Sequence, residues 1–140
     1  MPDVPCYKQK EYGDWCQGEE TLRAENTGYY CIFHLPKGVN EKGSAVLKTR
    51  VFQRINDAKV SGKACNLSGT VFNDDISFSQ FNKDGPMPEV DFSYAVFHGQ
   101  ADFRGVVFEG MTSFGWATVE KDAYFNSAFF KKGRIFLCGL

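Results

Sequence analysis

Three cysteines and one histidine near the start of the chain have the types and the spacing of a metal site. Cys6, Cys16, Cys31 and His34 follow the pattern C-x9-C-x14-C-x2-H. Three thiolates and one imidazole complete the tetrahedral shell that zinc prefers. The last two ligands are three positions apart, so one tight turn can present both to the same ion. The sequence therefore predicts a structural Zn²⁺ held by these four residues; the alternative is buried or free thiols with His34 on a surface turn.

The segment around these four residues needs such an ion to become ordered. Residues 1–38 are rich in Cys, Tyr, Gly and charged residues and show no sustained hydrophobic period. A segment this short and polar cannot bury a core of its own. Zinc binding contributes about 10–16 kcal/mol to the folding of small modules. We therefore expect residues 1–38 to form a small metal-stapled module.

Other residues that could do chemistry are few. The chain has no glycine-rich phosphate loop and no serine nucleophile motif. His98 falls on a position expected to face solvent, and Cys65 falls on one expected to face the core. The pair Asp74 and Asp75 would lie at a corner, where calcium binding or acid–base work is a minor alternative. The sequence therefore predicts no catalytic residue, no cofactor-binding residue beyond the zinc ligands, and no enzyme activity.

The composition limits which binding partners and which cellular compartment are expected for the protein. The 140 residues suit one domain, and the net charge of −1 creates no overall field for nucleic acid or a membrane surface. No apolar run approaches the ~18 residues that span a bilayer, and no secretory signal pattern begins the chain. The five cysteines are an odd number, which argues against a disulfide framework and favours a reducing cytoplasm.

An amphipathic helix is predicted between the cysteine segment and the rest of the chain. Leu47, Val51 and Ile55 stand four positions apart, with Phe52 beside them, and form one apolar stripe. We expect this helix within residues 39–60, capped by Asn40 or Ser44, whose residue types favour the N-cap position. Because it comes directly before the repeats, it would cover their N-terminal end.

Large apolar residues recur through the last part of the chain at steps of five and six. A smaller residue stands two positions before each of them up to Phe130, so both point to one side of an extended segment. Such a period predicts a coil that turns a corner at every step, rather than an antiparallel sheet rich in Phe. One turn takes 22 residues, so Phe92 should stack over Phe114, and Phe114 over Phe136, at ~4.8 Å. The recurring residues are Phe92, Phe97, Phe103, Phe108, Phe114, Val119, Phe125, Phe130 and Phe136.

A preceding coil is less regular. It would use Leu67, Phe72, Phe78 and, after a step of three, Phe81. The stretch 82–90 contains two prolines and one glycine, which fit an excursion at a corner better than a strand.

Two units show what the repeat resembles. Cys65-Asn66-Leu67-Ser68-Gly69 and Ala101-Asp102-Phe103-Arg104-Gly105 match the unit of the pentapeptide-repeat family over roughly residues 61–136. The resemblance implies an all-β, right-handed quadrilateral β-helix over residues 61–140, with the extra sixth residues as bulges at corners. The cysteine spacing is similar to small CCCH zinc modules, although its second gap is longer. The string Tyr30-Cys-Ile-Phe-His-Leu-Pro36 ahead of the repeats looks like an arrangement in bacterial members of the family.

These features together predict a non-enzymatic scaffold that binds a protein partner. The alternatives are binding to DNA gyrase as a DNA mimic, which the resemblance suggests, and zinc-dependent nucleic-acid binding. Acidic residues interrupt any basic stripe in the first segment, which speaks against the latter. The apolar residues Leu137, Cys138 and Leu140 suggest a homodimer through the C-terminal end of the β-helix.

Overall fold

Short parallel strands, stacked in four columns, make up most of the fold. The computed structural model of the protein describes residues 6–19, 21–24, 28–36, 43–131 and 135–136. In chain order the elements are α1 (Gln9–Tyr12), β1 (Thr21–Ala24), β2 (Gly28–Cys31), α2 (Gly43–Ser61), β3 (Cys65–Asn66), β4 (Val71–Phe72), β5 (Ile76–Ser77), β6 (Val90–Asp91), β7 (Val96–Phe97), β8 (Ala101–Asp102), β9 (Val107–Phe108), β10 (Thr112–Ser113), β11 (Thr118–Val119), β12 (Ala123–Tyr124), β13 (Phe129–Phe130) and β14 (Ile135–Phe136).

The strands form the four sides of a parallel β-solenoid of about three turns. Side one has the order β14-β10-β6-β3, side two β11-β7-β4, side three β12-β8-β5, and side four β13-β9. We call β3 to β5 with Met87 coil one, β6 to β9 coil two, and β10 to β13 coil three. Each strand pairs in parallel with the strand one coil away. The predicted four-sided β-helix is confirmed.

The register between coils two and three is the predicted one. Val90 pairs with Thr112 and Val107 with Phe129, so one turn takes 22 residues. The ring of Phe92 stacks on that of Phe114, with centroids 5.2 Å apart and planes 8° apart. Between coils one and two, Cys65 pairs with Val90, a step of 25 residues. The three extra residues belong to the irregular stretch on side four.

Side four of coil one differs from the prediction. Met87, not Phe81, is the ladder partner of Phe108. The Val107 N–H donates to the Phe81 carbonyl at 2.9 Å, and the Glu109 N–H donates to the Met87 carbonyl at 2.9 Å. The chain between Phe81 and Met87 therefore leaves side four and returns to it. Met87 then occupies the core-facing position of this side. The Phe81 ring packs against Phe52 of α2, with centroids 5.7 Å apart.

Columns of rings fill the interior of the solenoid. Phe72 stacks on Phe97 at 4.5 Å, Phe78 on Phe103 at 4.7 Å, and Phe108 on Phe130 at 4.6 Å between centroids. In each pair the planes lie within 4° of one another. Rings of neighbouring columns meet edge to face, as Phe78 and Phe92 do at 74°. Both arrangements are favourable for aromatic pairs.

Helix α2 covers the start of coil one, as predicted. Leu47, Val51, Ile55 and Ala58 are buried on its inner face, and Phe52 meets Phe78 edge to face at 5.8 Å. The helix runs from Gly43 to Ser61, so it ends one residue beyond the predicted range 39–60. Asn40 and the Ser44 side chain lie outside the described part, so the predicted caps stay untested.

Two further expectations are wrong. His98 does not face solvent: its side chain is 13% exposed, and its Nδ1 lies 3.0 Å from Glu120 Oε1. Phe136 pairs with Ser113, so its register is shifted by one residue from the predicted position over Phe114. The segment 137–140, with its apolar end, lies outside the described residues.

Candidate metal centre

The structure brings Cys6, Cys16, Cys31 and His34 together in one buried cluster. One ligand atom from each residue lies within 4.8 Å of all the others. Each of the four is at most 3% exposed. A zinc tetrahedron with metal–sulfur bonds of ~2.3 Å has edges of about 3.8 Å. The cluster therefore has the donor atoms and the size to hold a metal ion.

Four separate pieces of backbone position these ligands. Cys6 precedes the single-turn helix α1, and Cys16 lies in the turns that follow it, where the Glu19 N–H donates to the Cys16 carbonyl at 3.1 Å. Cys31 ends β2, which pairs with β1 as an antiparallel hairpin. His34 follows on a tight turn, since its N–H donates to the Cys31 carbonyl at 3.0 Å. The tight turn was predicted from the sequence; α1 and the hairpin were not.

The His34 ring is held with one nitrogen toward the thiols and the other toward the solenoid. Its Nδ1 lies 3.0 Å from Cys31 Sγ and 3.5 Å from Cys6 Sγ. Its Nε2 lies 3.0 Å from the Ser68 carbonyl oxygen. A carbonyl only accepts, so Nε2 carries the proton and donates it, and Nδ1 keeps its lone pair. Metal-binding histidines usually have such an outer partner, which fixes the tautomer and the ring orientation.

The thiols titrate as a group. Hydrogen bonds from Cys16 and Cys31 hold the pKa of Cys6 well below its usual value. Cys31 acts in turn as a donor to Cys16 and Cys6, and this role together with burial raises the pKa of Cys31. A hydrogen bond from Cys31 alone would lower the pKa of Cys16, but its bond to Cys6 and its burial raise it to about 11. One thiolate is thus stabilised by its neighbours, and a cation is needed to hold three.

Aromatic rings enclose the histidine. Tyr12 stacks on His34 with centroids 5.4 Å and planes 18° apart, and Trp15 meets the same ring edge-on at 5.1 Å. Trp15 also contacts Phe33 at 5.0 Å. Trp15 Nε1 is buried and has no hydrogen-bond partner among the described residues. These rings exclude water from the cluster.

An ion-pair network joins this region to α2. Glu19 accepts hydrogen bonds from Arg50 and Arg54, and its side chain is only 11% exposed. The Arg54 guanidinium also lies over the rings of Trp15 and Phe33, at 5.0 and 5.1 Å from their centroids. Sequence reasoning missed Glu19, because nothing in the spacing of residues 19, 50 and 54 signals a contact.

Backbone contacts join the cluster to coil one. The Val71 N–H donates to the Phe33 carbonyl at 2.7 Å, as the Val96 N–H one coil later donates to the Thr70 carbonyl at 2.9 Å. The turn that carries His34 therefore continues the ladder of side two by one position. Buried residues of the cluster, of α2 and of the coils belong to one continuous core. The proposed boundaries 1–38, 39–60 and 61–140 remain predictions.

The comparison with protein families agrees with this architecture. Residues 92–133 match the family model described as pentapeptide repeats, 9 copies. Residues 92–133 of this chain are pentapeptide repeats. The matched segment begins with Phe92, which lies in coil two. Coil one, whose turn is longer and whose side four is interrupted, lies before it.

Two other observations complete the comparison. No curated protein and no solved structure matched the chain. Among the residues that the structure describes, neither helix combines the length and the apolar character needed to cross a bilayer.

Proposed function

We propose that this protein is a non-enzymatic pentapeptide-repeat scaffold that mediates protein–protein interaction and carries one structural Zn²⁺. The observation that supports the metal is the buried cluster of three sulfurs and one imidazole nitrogen within 4.8 Å. This donor set, closed by four protein ligands with no position left for substrate, is typical of structural zinc. Carboxylate-preferring ions such as Mg²⁺ or Ca²⁺ do not suit it.

The ion would act on the order of the N-terminal region. Cys6, Cys16, Cys31 and His34 would hold the metal, and Ser68 would orient His34 through its carbonyl. Because the turn that carries His34 also continues the ladder of side two, the metal would hold residues 6–36 against coil one. The described thiols are all free, and a reducing compartment keeps such ligands available. We therefore propose a cytoplasmic location.

The scaffold role rests on the solenoid. Its parallel ladders and stacked ring columns give flat, rigid sides that can present side chains without rearrangement. In the described part of the solenoid the buried polar side chains are Ser68, Thr70 and Thr112, and none of these three can serve as a general base for a nucleophile. Reciprocal capture from the native host tests this role. The wild-type protein should capture one partner in a stoichiometric amount, and that partner, used as bait, should capture this protein. Failure to find a stoichiometric partner would contradict the proposal.

We also propose a homodimer through the end of coil three. Phe125 and Phe130 are only partly buried, whereas Phe103 and Phe108, one coil earlier, are at most 1% exposed. Phe129 is 57% exposed. A second copy would cover these rings. Light scattering after gel filtration should give a mass that rises with concentration, and Phe129→Ser should lower it; a constant monomer mass would contradict the dimer.

A second candidate function, binding to DNA gyrase as a DNA mimic, is favoured by one observation. By register, Asp74, Asp75, Glu120 and Asp122 lie along the corner between sides two and three. Lys121 and His98 interrupt this acidic stripe. Inhibition of gyrase supercoiling by wild-type protein, abolished in Asp74→Lys/Asp75→Lys, would support the candidate. Equal inhibition by both proteins, or none, would remove it.

We do not propose the nucleic-acid alternative. Lys8 pairs with Glu11 at 2.8 Å, and Arg50 and Arg54 both bind Glu19. These cations therefore already neutralise carboxylates of the chain. Binding to nucleic acid that falls steeply with added salt would show this judgement to be wrong.

A further inference from the structure

An uncharged strip follows one corner of the solenoid through all three coils. The segments 67–72, 92–97 and 114–119, which turn from side one to side two, contain no Asp, Glu, Lys, Arg or His. Most residues in these segments are buried. The accessible ones, Val71, Ser93, Tyr94, Val96, Trp116, Thr118 and Val119, carry no charge. The neighbouring corner, by contrast, carries Asp74, Asp75 and Glu120. The strip is therefore suited to a neutral partner.

Two exposed aromatic residues stand at the tip of this corner in a strained backbone conformation. Tyr94 has φ 61° and Trp116 has φ 59°, while Gly69 occupies the same position in coil one with φ 73°. Tyr94 is 49% exposed and Trp116 is 56% exposed. A left-handed conformation costs about 1–2 kcal/mol for a residue other than glycine. Gly105 and Ser127 adopt the same conformation at another corner, so the corner geometry requires it. Only at Tyr94 and Trp116 does a large exposed ring occupy this position in the described solenoid.

Tyr12 extends the two rings into a row. Its ring covers Gly69, since a Cβ there would lie 2.3 Å from a Tyr12 ring carbon. The Tyr12 and Tyr94 centroids are 5.8 Å apart. The other side of Tyr12 stacks on His34 of the metal cluster. We call Tyr12, Tyr94 and Trp116 the aromatic row; it runs along the solenoid axis from the cluster to coil three.

The area and chemistry of the aromatic row indicate its partner. Two rings of about 200 Å², Tyr94 and Trp116, are each about half exposed and together offer about 200 Å². Tyr12 is partly buried and adds a smaller area. The total is well below the ~800 Å² per partner of a stable interface between folded proteins, so a second copy of the chain does not fit. The row matches a peptide. Tyr94 and Trp116 add an O–H and an N–H donor to their rings, and the strip has no cation for phosphate.

We propose that the aromatic row binds a neutral, proline-rich segment of a partner protein in the polyproline II conformation. Such a segment offers apolar rings and unpaired carbonyl acceptors, lacks N–H donors at its prolines, and loses little entropy on binding. Its proline rings therefore match the aromatic rings of the row, and its carbonyl acceptors match the Tyr94 O–H and Trp116 N–H donors. This inference rests on the proposed scaffold function, for which it names the surface and the class of partner.

Fluorescence anisotropy of a labelled, end-blocked decaproline tests the inference. Zinc-loaded wild-type protein should bind it about tenfold more tightly than a Gly-Ser decapeptide with the same label. Tyr94→Gly/Trp116→Gly should weaken binding by about tenfold or more, yet melt no lower than wild type, because glycine adopts the positive φ freely. Tyr124→Ser, which removes a partly exposed ring on side three, is the matched control and should bind as wild type does.

Several results would overturn the inference. They are equal affinity for the two peptides, unchanged affinity in the double glycine variant, or affinity that falls steeply with salt. Should the double variant melt lower, wild-type protein is cross-linked to decaproline carrying a benzophenone. Adducts within 92–97 or 114–119 support the row, and adducts confined to other segments contradict it. A native partner captured equally by wild type and the double variant would leave the scaffold function standing and refute this surface alone.

Discussion

His34 Nε2 lies 3.0 Å from the carbonyl oxygen of Ser68, which joins a candidate metal ligand to the first corner of the solenoid. The bond fixes the tautomer that leaves Nδ1 facing the thiols. The next backbone contact, from the Val71 N–H to the Phe33 carbonyl, belongs to the ladder of side two. Metal binding by the cluster and the packing of residues 6–36 against coil one should therefore be coupled.

Replacing one thiol tests this coupling. Cys31→Ser should release the metal and loosen residues 6–36, because Cys31 is fully buried and its sulfur is 3.0 Å from His34 Nδ1. Coils two and three keep their own ladders, so the β-helix circular dichroism should be largely retained. Hydrogen exchange should show faster exchange at the Val71 amide, which loses its partner, than at the Val96 amide one coil later.

Cys65→Ser is the matched control, because Cys65 is 5% exposed but lies outside the cluster. It should keep the metal and the protection at Val71. Loss of the whole β-sheet signal in Cys31→Ser would show that the solenoid does not stay folded without the metal-bound segment 6–36.

Alkylation should separate the two kinds of buried cysteine. Burial raises the pKa of Cys65 from 9.0 to about 12, so near neutral pH its thiolate fraction is about 1,000-fold below that of an ordinary cysteine. A chelator should make Cys6, Cys16 and Cys31 react with iodoacetamide while Cys65 stays unreactive, as peptide mass spectrometry can follow. Rapid reaction of Cys65 in the folded protein would mean that coil one is open.

Acid should remove the contribution of Glu19. Burial alone would raise the pKa of Glu19, but the hydrogen bonds from Arg50 and Arg54 outweigh it and lower the pKa from its ordinary 4.5. A lowered folded-state pKa gives stability that is present above pH 4.5 and is lost as the pH falls through the lowered value. At pH 7, Glu19→Gln should cost about 1–2 kcal/mol, allowing for solvent screening.

The test for Glu19 is the difference in free energy of unfolding between wild type and Glu19→Gln. This difference should shrink as the pH falls below 4.5. Loss of the metal in acid affects both proteins and cancels. A difference that stays constant down to pH 2 would place the effect in packing rather than in charge.

A central ring should dominate stability. Phe103 is 1% exposed and lies between Phe78 and Phe125, at 4.7 and 5.0 Å between centroids. Phe103→Ala should cost about 3–5 kcal/mol in urea unfolding. Val60→Ala, at a side chain that is 89% exposed on α2, should cost less than about 1 kcal/mol. Similar costs for both would contradict the assignment of the columns.

The sequence was sufficient to predict the columns because the repeat fixes them locally. A small residue two places before a large one determines which side chains point inward, so the pair Phe92 and Phe114 follows from counting. The approach of Cys31 and His34 follows from their separation of three residues. The meeting of Cys6 and Cys16 with them was inferred from ligand chemistry alone.

Where the repeat lapses, the sequence could not predict the outcome. Phe81 and Met87 are both apolar, and only the route of the chain between them decides which one pairs with Phe108. His98 was expected to face solvent because its repeat position points outward, but Glu120 in the next coil covers it. Tyr12 finds its place over Gly69 only through the fold of the cysteine segment, which has no period to read.

The metal content of the purified protein tests the account most directly. Elemental analysis with X-ray absorption should find one zinc per chain, bound by three sulfurs and one nitrogen at ~2.3 and ~2.0 Å. Zinc should be absent from Cys31→Ser and present in Cys65→Ser. A protein that folds with no stoichiometric metal, or holds it through oxygen ligands, would contradict the assignment of Cys6, Cys16, Cys31 and His34.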